Sequence, residues 1–218
     1  DSFGFIGFYI VKPEYRGQGY GIQIWKAAMN YLHDQNVGLD GVISQQDNYK
    51  KSGFKLAYRN IRYEGIRGGQ IFDNGHIINL SNLPFETIDS YDSHFFPDNR
   101  STFIKSWIRL PESDALGIFR DHKLLGYGVI RKCLNGYKIG PLFANSPEFA
   151  ESLFLALTAS IKQSEPIYLD TPEVNREAVA LAENHNMKPV FETARMYTVK
   201  SPQIPLNQVF GVTSYELG

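Results

Sequence analysis

The chain has 218 residues, 43% of them hydrophobic and 21% charged, a composition that fits one large or two small globular domains. Its formal net charge is −1, with nine basic and seven acidic residues up to Gly75 and thirteen and sixteen beyond it, so bulk charge argues against a nucleic-acid partner and against an acidic membrane surface. The one cysteine, Cys133, excludes an intrachain disulfide and fits a reducing, cytoplasmic setting; no apolar run approaches the ~20 residues of a spanning helix, and the first residues do not read as a signal peptide.

The apolar run Phe5 to Val11 predicts a strand that ends at Lys12-Pro13. Arg16-Gly17-Gln18-Gly19-Tyr20-Gly21 follows, and a helix over residues 21–35 starts on it, with Ile22, Trp25, Ala28, Met29 and Leu32 at helical spacing. A loop of this kind leaves its amides unpaired at the positive end of the helix dipole, which makes it an anion site. The spaced glycines let backbone approach a ligand with no side chain between them. It is not a P-loop, because Gly21 is followed by Ile22-Gln23 and not by Lys-Ser or Lys-Thr. It also fails the dinucleotide fingerprint, since the sixth place counted from Gly17 is Ile22.

Asn36-Val37-Gly38 reads as the stop of that helix, Leu39 to Ser44 as a strand, and Gln45 to Asn48 as a turn leading to Tyr49-Lys50-Lys51-Ser52-Gly53-Phe54. Lys55 to Tyr63 predicts a strand. Residues 65–75 hold four glycines and read as a linker, with strand character at Gln70 to Phe72. A second unit then begins: a strand at Ile77 to Leu80, helices at Pro84 to Tyr91 and Arg100 to Arg109, and a hairpin of Ala115 to Phe119 and Leu124 to Lys132. It continues with a strand at Tyr137 to Phe143, a helix over Pro147 to Gln163, a strand at Ile167 to Leu169, a helix over Val174 to His185 and a strand at Arg195 to Val199. The tail, 200–218, offers one more strand around Val209 to Thr213.

Val11-Lys12-Pro13 with Arg16-Gly17-Gln18-Gly19-Tyr20-Gly21 resembles the signature of the GNAT acetyltransferase superfamily: a strand ending near Val-x-Pro, then Arg or Gln, two residues, Gly, one residue, Gly or Ala. Tyr49 to Phe54 is similar to the family's second signature, Tyr-x-Lys-x-Gly-Phe. The resemblance implies an α/β fold with a mixed sheet. Residues 1–64 then correspond to the C-terminal half of a GNAT domain, so a truncated first repeat is expected, joined by 65–75 to a second, complete GNAT-like domain over 76–199. That second repeat looks degenerate. Its loop Pro141 to Pro147 lacks Arg-x-x-Gly-x-Gly, and Asn186-Met187 stands where Gly-Phe would.

The same resemblance implies the chemistry. The amides of Gly17, Gln18, Gly19, Tyr20 and Gly21, with Arg16, would hold the pyrophosphate of acetyl-CoA. Ile10 and Val11 would pair with its pantetheine arm, and Tyr49 would protonate the leaving thiolate. The reaction expected is direct acetyl transfer in a ternary complex to an amine of a small molecule or a protein, with activity expected in the full-length protein. The alternative is a CoA-binding or assembly module without turnover. The strand Phe3 to Val11 carries no Asp, Glu or His to serve as base. Glu86, Asp89, Asp92, His94 and Asp170 remain open candidates. His76, His122 and His185 read as surface residues, and no Cys/His spacing suggests a metal. An isolated half-domain has too little core. It is expected to lean on the second repeat, on a separate chain or on a second copy as a homodimer.

Overall fold

A computed structural model describes residues 2–66, 76–162 and 164–218. The strand expected at Gln70 to Phe72 and most of the expected linker lie outside the described residues. Among the described residues ten strands form one sheet: β1 (Phe3–Ile6), β2 (Asn36–Val42), β3 (Lys55–Ile66), β4 (Ile77–Asn79), β5 (Ser113–Arg120), β6 (Lys123–Lys132), β7 (Tyr137–Ala144), β8 (Pro166–Pro172), β9 (Lys188–Tyr197) and β10 (Val209–Gly211). Their order is β1-β2-β9-β3-β8-β7-β6-β5-β4, with β10 against β7. The helices are α1 (Tyr20–Tyr31), α2 (Gln46–Lys51), α3 (Phe85–Asp92), α4 (Ser101–Trp107), α5 (Pro147–Thr158) and α6 (Arg176–Asn184). No helix among the described residues is long and apolar enough to cross a membrane.

The order contains a reciprocal exchange. Strand β3 lies antiparallel between β8 and β9, and β9 lies antiparallel between β2 and β3. Each strand therefore takes sheet hydrogen bonds from the opposite stretch of chain. Three buried clusters follow the sheet. One packs α5 and α6 on β7 and β8, through Leu153, Phe154, Leu157, Leu169 and Leu181. A second gathers Ile88, Ile104, Tyr127, Val129 and Phe143. The third sets Trp25 of α1 and Phe54 on Val37, Leu39, Ala194 and Met196.

Several expected boundaries move. The first strand stops at Ile6, not at Val11, because β1 pairs with β2 only from Phe3↔Asn36 to Ile6↔Leu39. Gly7 then meets the tail so closely that a Cβ there would sit 1.9 Å from the Glu216 carbonyl oxygen. Phe8 adopts a left-handed φ of 54°, which turns the chain out of the sheet. Asn36 to Gly38, expected as a helix stop, already belongs to β2, and β9 begins at Lys188 rather than Arg195. Asn36 and Val37 join β2 through their pairing with Phe3 and Gly4 of β1, whereas β9 gains its length from the exchange, running beside β3 from Lys188 on, a partner far away in sequence. Helix α5 ends at Thr158, where the threonine hydroxyl donates to the Phe154 and Leu155 carbonyls. It starts on Ser146, which caps the Phe149 amide at 3.4 Å ahead of Pro147.

Candidate functional site

The parallel pairs β1/β2 and β7/β8 are the two places where the sheet splays. Strands β7 and β8 pair only over Tyr137↔Ile167 to Ile139↔Leu169. Beyond Ile139 the gap is filled by β10, which pairs with β7 at Phe143 and Leu142, while the Val212 amide donates to the Asp170 carbonyl at 2.8 Å. Asn175 locks this arrangement: it caps α6 at Ala178 and gives its Nδ2 to the Val209 carbonyl at 2.9 Å. In contrast, no strand among the described residues enters the gap between β1 and β2 past Ile6 and Leu39. That gap opens into a cleft of about 400 Å³.

The cleft passes between two faces of the sheet. Side chains alternate along a strand, so Leu39 and Asp40 point to opposite faces. On the Leu39 side lie Trp25 of α1 and Tyr49 of α2; on the Asp40 side lie Phe191, Thr193, Tyr215 and Glu216. Tyr9 packs at a tilt against Trp25 at 5.4 Å, and Trp25 packs at a tilt against Tyr49 at 5.5 Å and against Phe54 at 5.8 Å. The Trp25 indole N–H donates to Ser52 Oγ at 3.0 Å. A Cβ at Gly41 would meet the Tyr49 ring at 2.5 Å, so the absence of a side chain there lets that ring approach β2. Burial, and then the neighbouring Tyr9, raise the Tyr49 pKa above its ordinary value, so the hydroxyl is a proton donor at neutral pH.

The glycine loop does not itself line the cleft; it adjoins the lining residue Tyr9 through Gly21. Pro13–Tyr15 forms a tight 3-10 turn, Arg16 Nε donates to the Val11 carbonyl at 3.0 Å, and Gln18 Nε2 donates to the Glu14 carbonyl at 2.8 Å. Gly17 and Gly19 take φ of 79° and 83°, and Gly19 is the N-cap of α1. Added Cβ atoms at Gly17 or Gly19 would meet nothing within 4 Å. Among the described residues nothing accepts from the Gly17, Gln18 or Gly19 amides. The same holds for the amides of Ile10 and Val11, on the segment that leaves the sheet. Tyr20 is half exposed and packs edge-on against Tyr15 at 5.9 Å. Gly21 has a different use: its missing side chain leaves room for the Tyr9 hydroxyl, 2.9 Å from where a Cβ would be. An open, uncapped helix start beside an apolar cleft suits the pyrophosphate and the thin arm of an acyl-CoA.

None of the expected base candidates lines the cleft. Asp92 is buried against Arg100 at 2.7 Å and accepts from Tyr127 at 2.5 Å, Asp89 accepts from Ser101, and Glu86 is exposed. His94 lies near its own Tyr91 carbonyl at 3.1 Å. Asp170 is buried in an ion cluster with Arg62 and Lys138. His185 is not the expected surface residue: it sits 2.8 Å from Glu151 and packs on Phe154 at 4.4 Å. His76 is half-buried, and His122 sits at a left-handed φ of 60° in the turn between β5 and β6. The carboxylates that do line the cleft, Asp40 and Glu216, carried no local signal, because β9 and the tail bring their surroundings from more than 150 residues away.

Two different family models, each described as an acetyltransferase (GNAT) domain, match this chain, one over residues 88–211 and the other over residues 4–69. The chain belongs to the GNAT acetyltransferase family, and it carries two GNAT-type stretches in tandem. Holothin acyltransferase of Pseudoalteromonas sp. (strain SANK 73390) is 28% identical over 218 residues, 100% of this chain and 74% of its own length. An uncharacterized protein of Caenorhabditis elegans is 30% identical over 181 residues, 74% of this chain and 56% of its own length. The chain thus spans between about half and three quarters of these two relatives. Among solved structures, a candidate acetyltransferase of Pyrococcus horikoshii superposes with a TM-score of 0.80 at 24% identity, over 95% of this chain and 69% of its own. Acyl transfer is the chemistry of GNAT proteins.

Proposed function

We propose that this GNAT chain transfers the acetyl group of acetyl-CoA to an amine by direct attack in a ternary complex. The observation that carries the proposal is the open splay, with unpartnered amides on the Ile10-Val11 side and the Tyr49 hydroxyl on the other. Bound acetyl-CoA would supply the activated thioester. The Gly17, Gln18 and Gly19 amides, with the first turn of α1 at Tyr20 and Gly21, hold the pyrophosphate, and Arg16 adds positive charge. Ile10 and Val11 offer N–H groups to the pantetheine arm and to the carbonyl that becomes electron-rich. Tyr49 donates a proton to the leaving sulfur. Trp25 and Tyr9 exclude water from that side and hold the Tyr49 ring in place.

Calorimetric titration with CoA, followed by thiol release over a panel of amines, tests this reading. Binding in the micromolar range with release on at least one amine is the expected result. Binding without release on any amine would favour a module that holds CoA and does not turn over. Failure to bind CoA would remove the assignment of the loop.

A further inference from the structure

We infer that Glu216, on the C-terminal tail, is the proton acceptor for the incoming amine, and that the amine sits on a flat apolar body. This rests on the acetyl-transfer reading above. The two ends of the reaction lie on opposite faces of the splay. Tyr49 occupies the helix face, so the nucleophile must reach the carbonyl from the other face, which Phe191, Thr193, Tyr215 and Glu216 line. Two carboxylates stand there. Asp40 already accepts Nη2 and Nε of Arg195 at 2.6 and 3.0 Å and Nδ2 of Asn60 at 2.8 Å, so its charge and lone pairs are engaged. Glu216 has no ion pair among the described residues; a neutral hydroxyl, Ser214, donates to it.

The tail is held where this needs it. Strand β10 fills the second splay, Tyr215 donates to the Asn60 carbonyl at 3.4 Å, and the Glu216 carbonyl abuts Gly7 at the point where β1 leaves the sheet. The gap that is closed in one half of the sheet thereby anchors the segment that furnishes the open one. Among the described residues the cleft lining holds no Lys, Arg or His, and its rim is aromatic, with Phe8 69% and Phe191 45% exposed. A cationic amine on a flat apolar group fits such a lining, whereas a polyhydroxylated one would leave its hydroxyls unpaired.

The proton balance is complete. An N–H bond of the ammonium breaks and an O–H bond forms on Glu216, which passes that proton to water. The freed electron pair makes the C–N bond as the C–S bond breaks. Tyr49 protonates the sulfur and regains a proton from water, and the nitrogen gives its second proton to water as the amide forms. The titratable and charged groups around Glu216 are Asp40 of β2, Arg62 of β3, Lys138 of β7, Asp170 of β8, Tyr49 of α2 and Tyr215, with Arg195 behind Asp40. Arg62, Lys138 and Asp170 together leave one positive charge, so a purely structural role for Glu216 would be to balance it.

The test uses the full chain with Glu216→Gln and Glu216→Asp, with phenethylamine, spermidine and glucosamine as acceptors. For Glu216→Gln we expect kcat/KM on phenethylamine to fall by about 10²-fold and the acidic limb of its pH profile to flatten. CoA affinity should be unchanged, and Glu216→Asp should keep the limb. A Glu216→Gln chain that is less stable but keeps the native pH limb would overturn the inference while leaving acetyl transfer standing. Preference for spermidine or glucosamine would overturn the acceptor class. Loss of CoA binding in the native chain would instead remove the reading on which the inference rests.

Discussion

Asp170→Ala should remove about 3–5 kcal/mol of stability, because breaking a buried ion pair leaves uncompensated charge inside. The carboxylate is fully buried; it receives Nε and Nη2 of Arg62 at 2.7 and 2.9 Å and the ammonium of Lys138. Arg62 keeps 27% of its side chain exposed and can draw in water, but Lys138 keeps 5%, so Lys138 is the main source of the penalty. The exposed pair Lys132–Glu112 sets the contrast, since surface pairs contribute about 0–1 kcal/mol. Native domains have about 5–15 kcal/mol in total. At about 2–4 °C per kcal/mol for a chain of this size, the midpoint should fall by roughly 6–20 °C. Burial already holds the Lys138 ammonium below its ordinary value against the pull of Asp170, and without Asp170 it falls further. Between the folded and unfolded values the unfolded chain binds more protons, so stability rises with pH. The deficit of the variant should therefore narrow as pH is raised toward the ordinary lysine value. Urea unfolding followed by circular dichroism at several pH values measures it, and Lys138→Met in the variant should restore part of the loss. A loss under about 1 kcal/mol, as at a surface pair, or a deficit independent of pH, would refute the reasoning.

Gly19→Val should weaken CoA binding by at least about tenfold in calorimetry, since a β-branched residue at φ 83° strains the helix start by ~1–2 kcal/mol and covers the free amides; unchanged affinity would move the pyrophosphate elsewhere. Tyr49→Phe should lower kcat by about 10²-fold with CoA affinity retained. Because the Tyr49 pKa is raised, the proton donor is lost only above its ordinary value near 10, so the native rate should not decline through mildly alkaline pH on its account; stopped-time thiol release across that range checks both points. Residues 2–66 expressed alone should show no cooperative urea transition, because among the described residues β3 pairs with β8 and β9 alone; a sigmoidal unfolding curve for that piece would show the exchange to be dispensable.

Local chemistry in the sequence was enough for the glycine loop, the start of α1, the tyrosine before Lys-x-Gly-Phe and nearly every element of the second half. Each rests on a short-range rule: a proline that ends a run, glycines at left-handed positions, a serine before Pro147 that caps α5, apolar residues at helical spacing. The family resemblance was legible for the same reason, since its signatures are contiguous. What only the tertiary structure decided is the interleaving of β3 and β9, which no period-2 pattern reveals because either strand would look the same beside another partner. The same long-range pairing plugs one splay with β10 and leaves the other open. It also carries Glu216 and Asp40 into the cleft in place of every carboxylate the sequence offered as a base. Pairing partners and cleft walls come from residues far apart in the chain, and the side-chain period that identifies a strand does not name its neighbour.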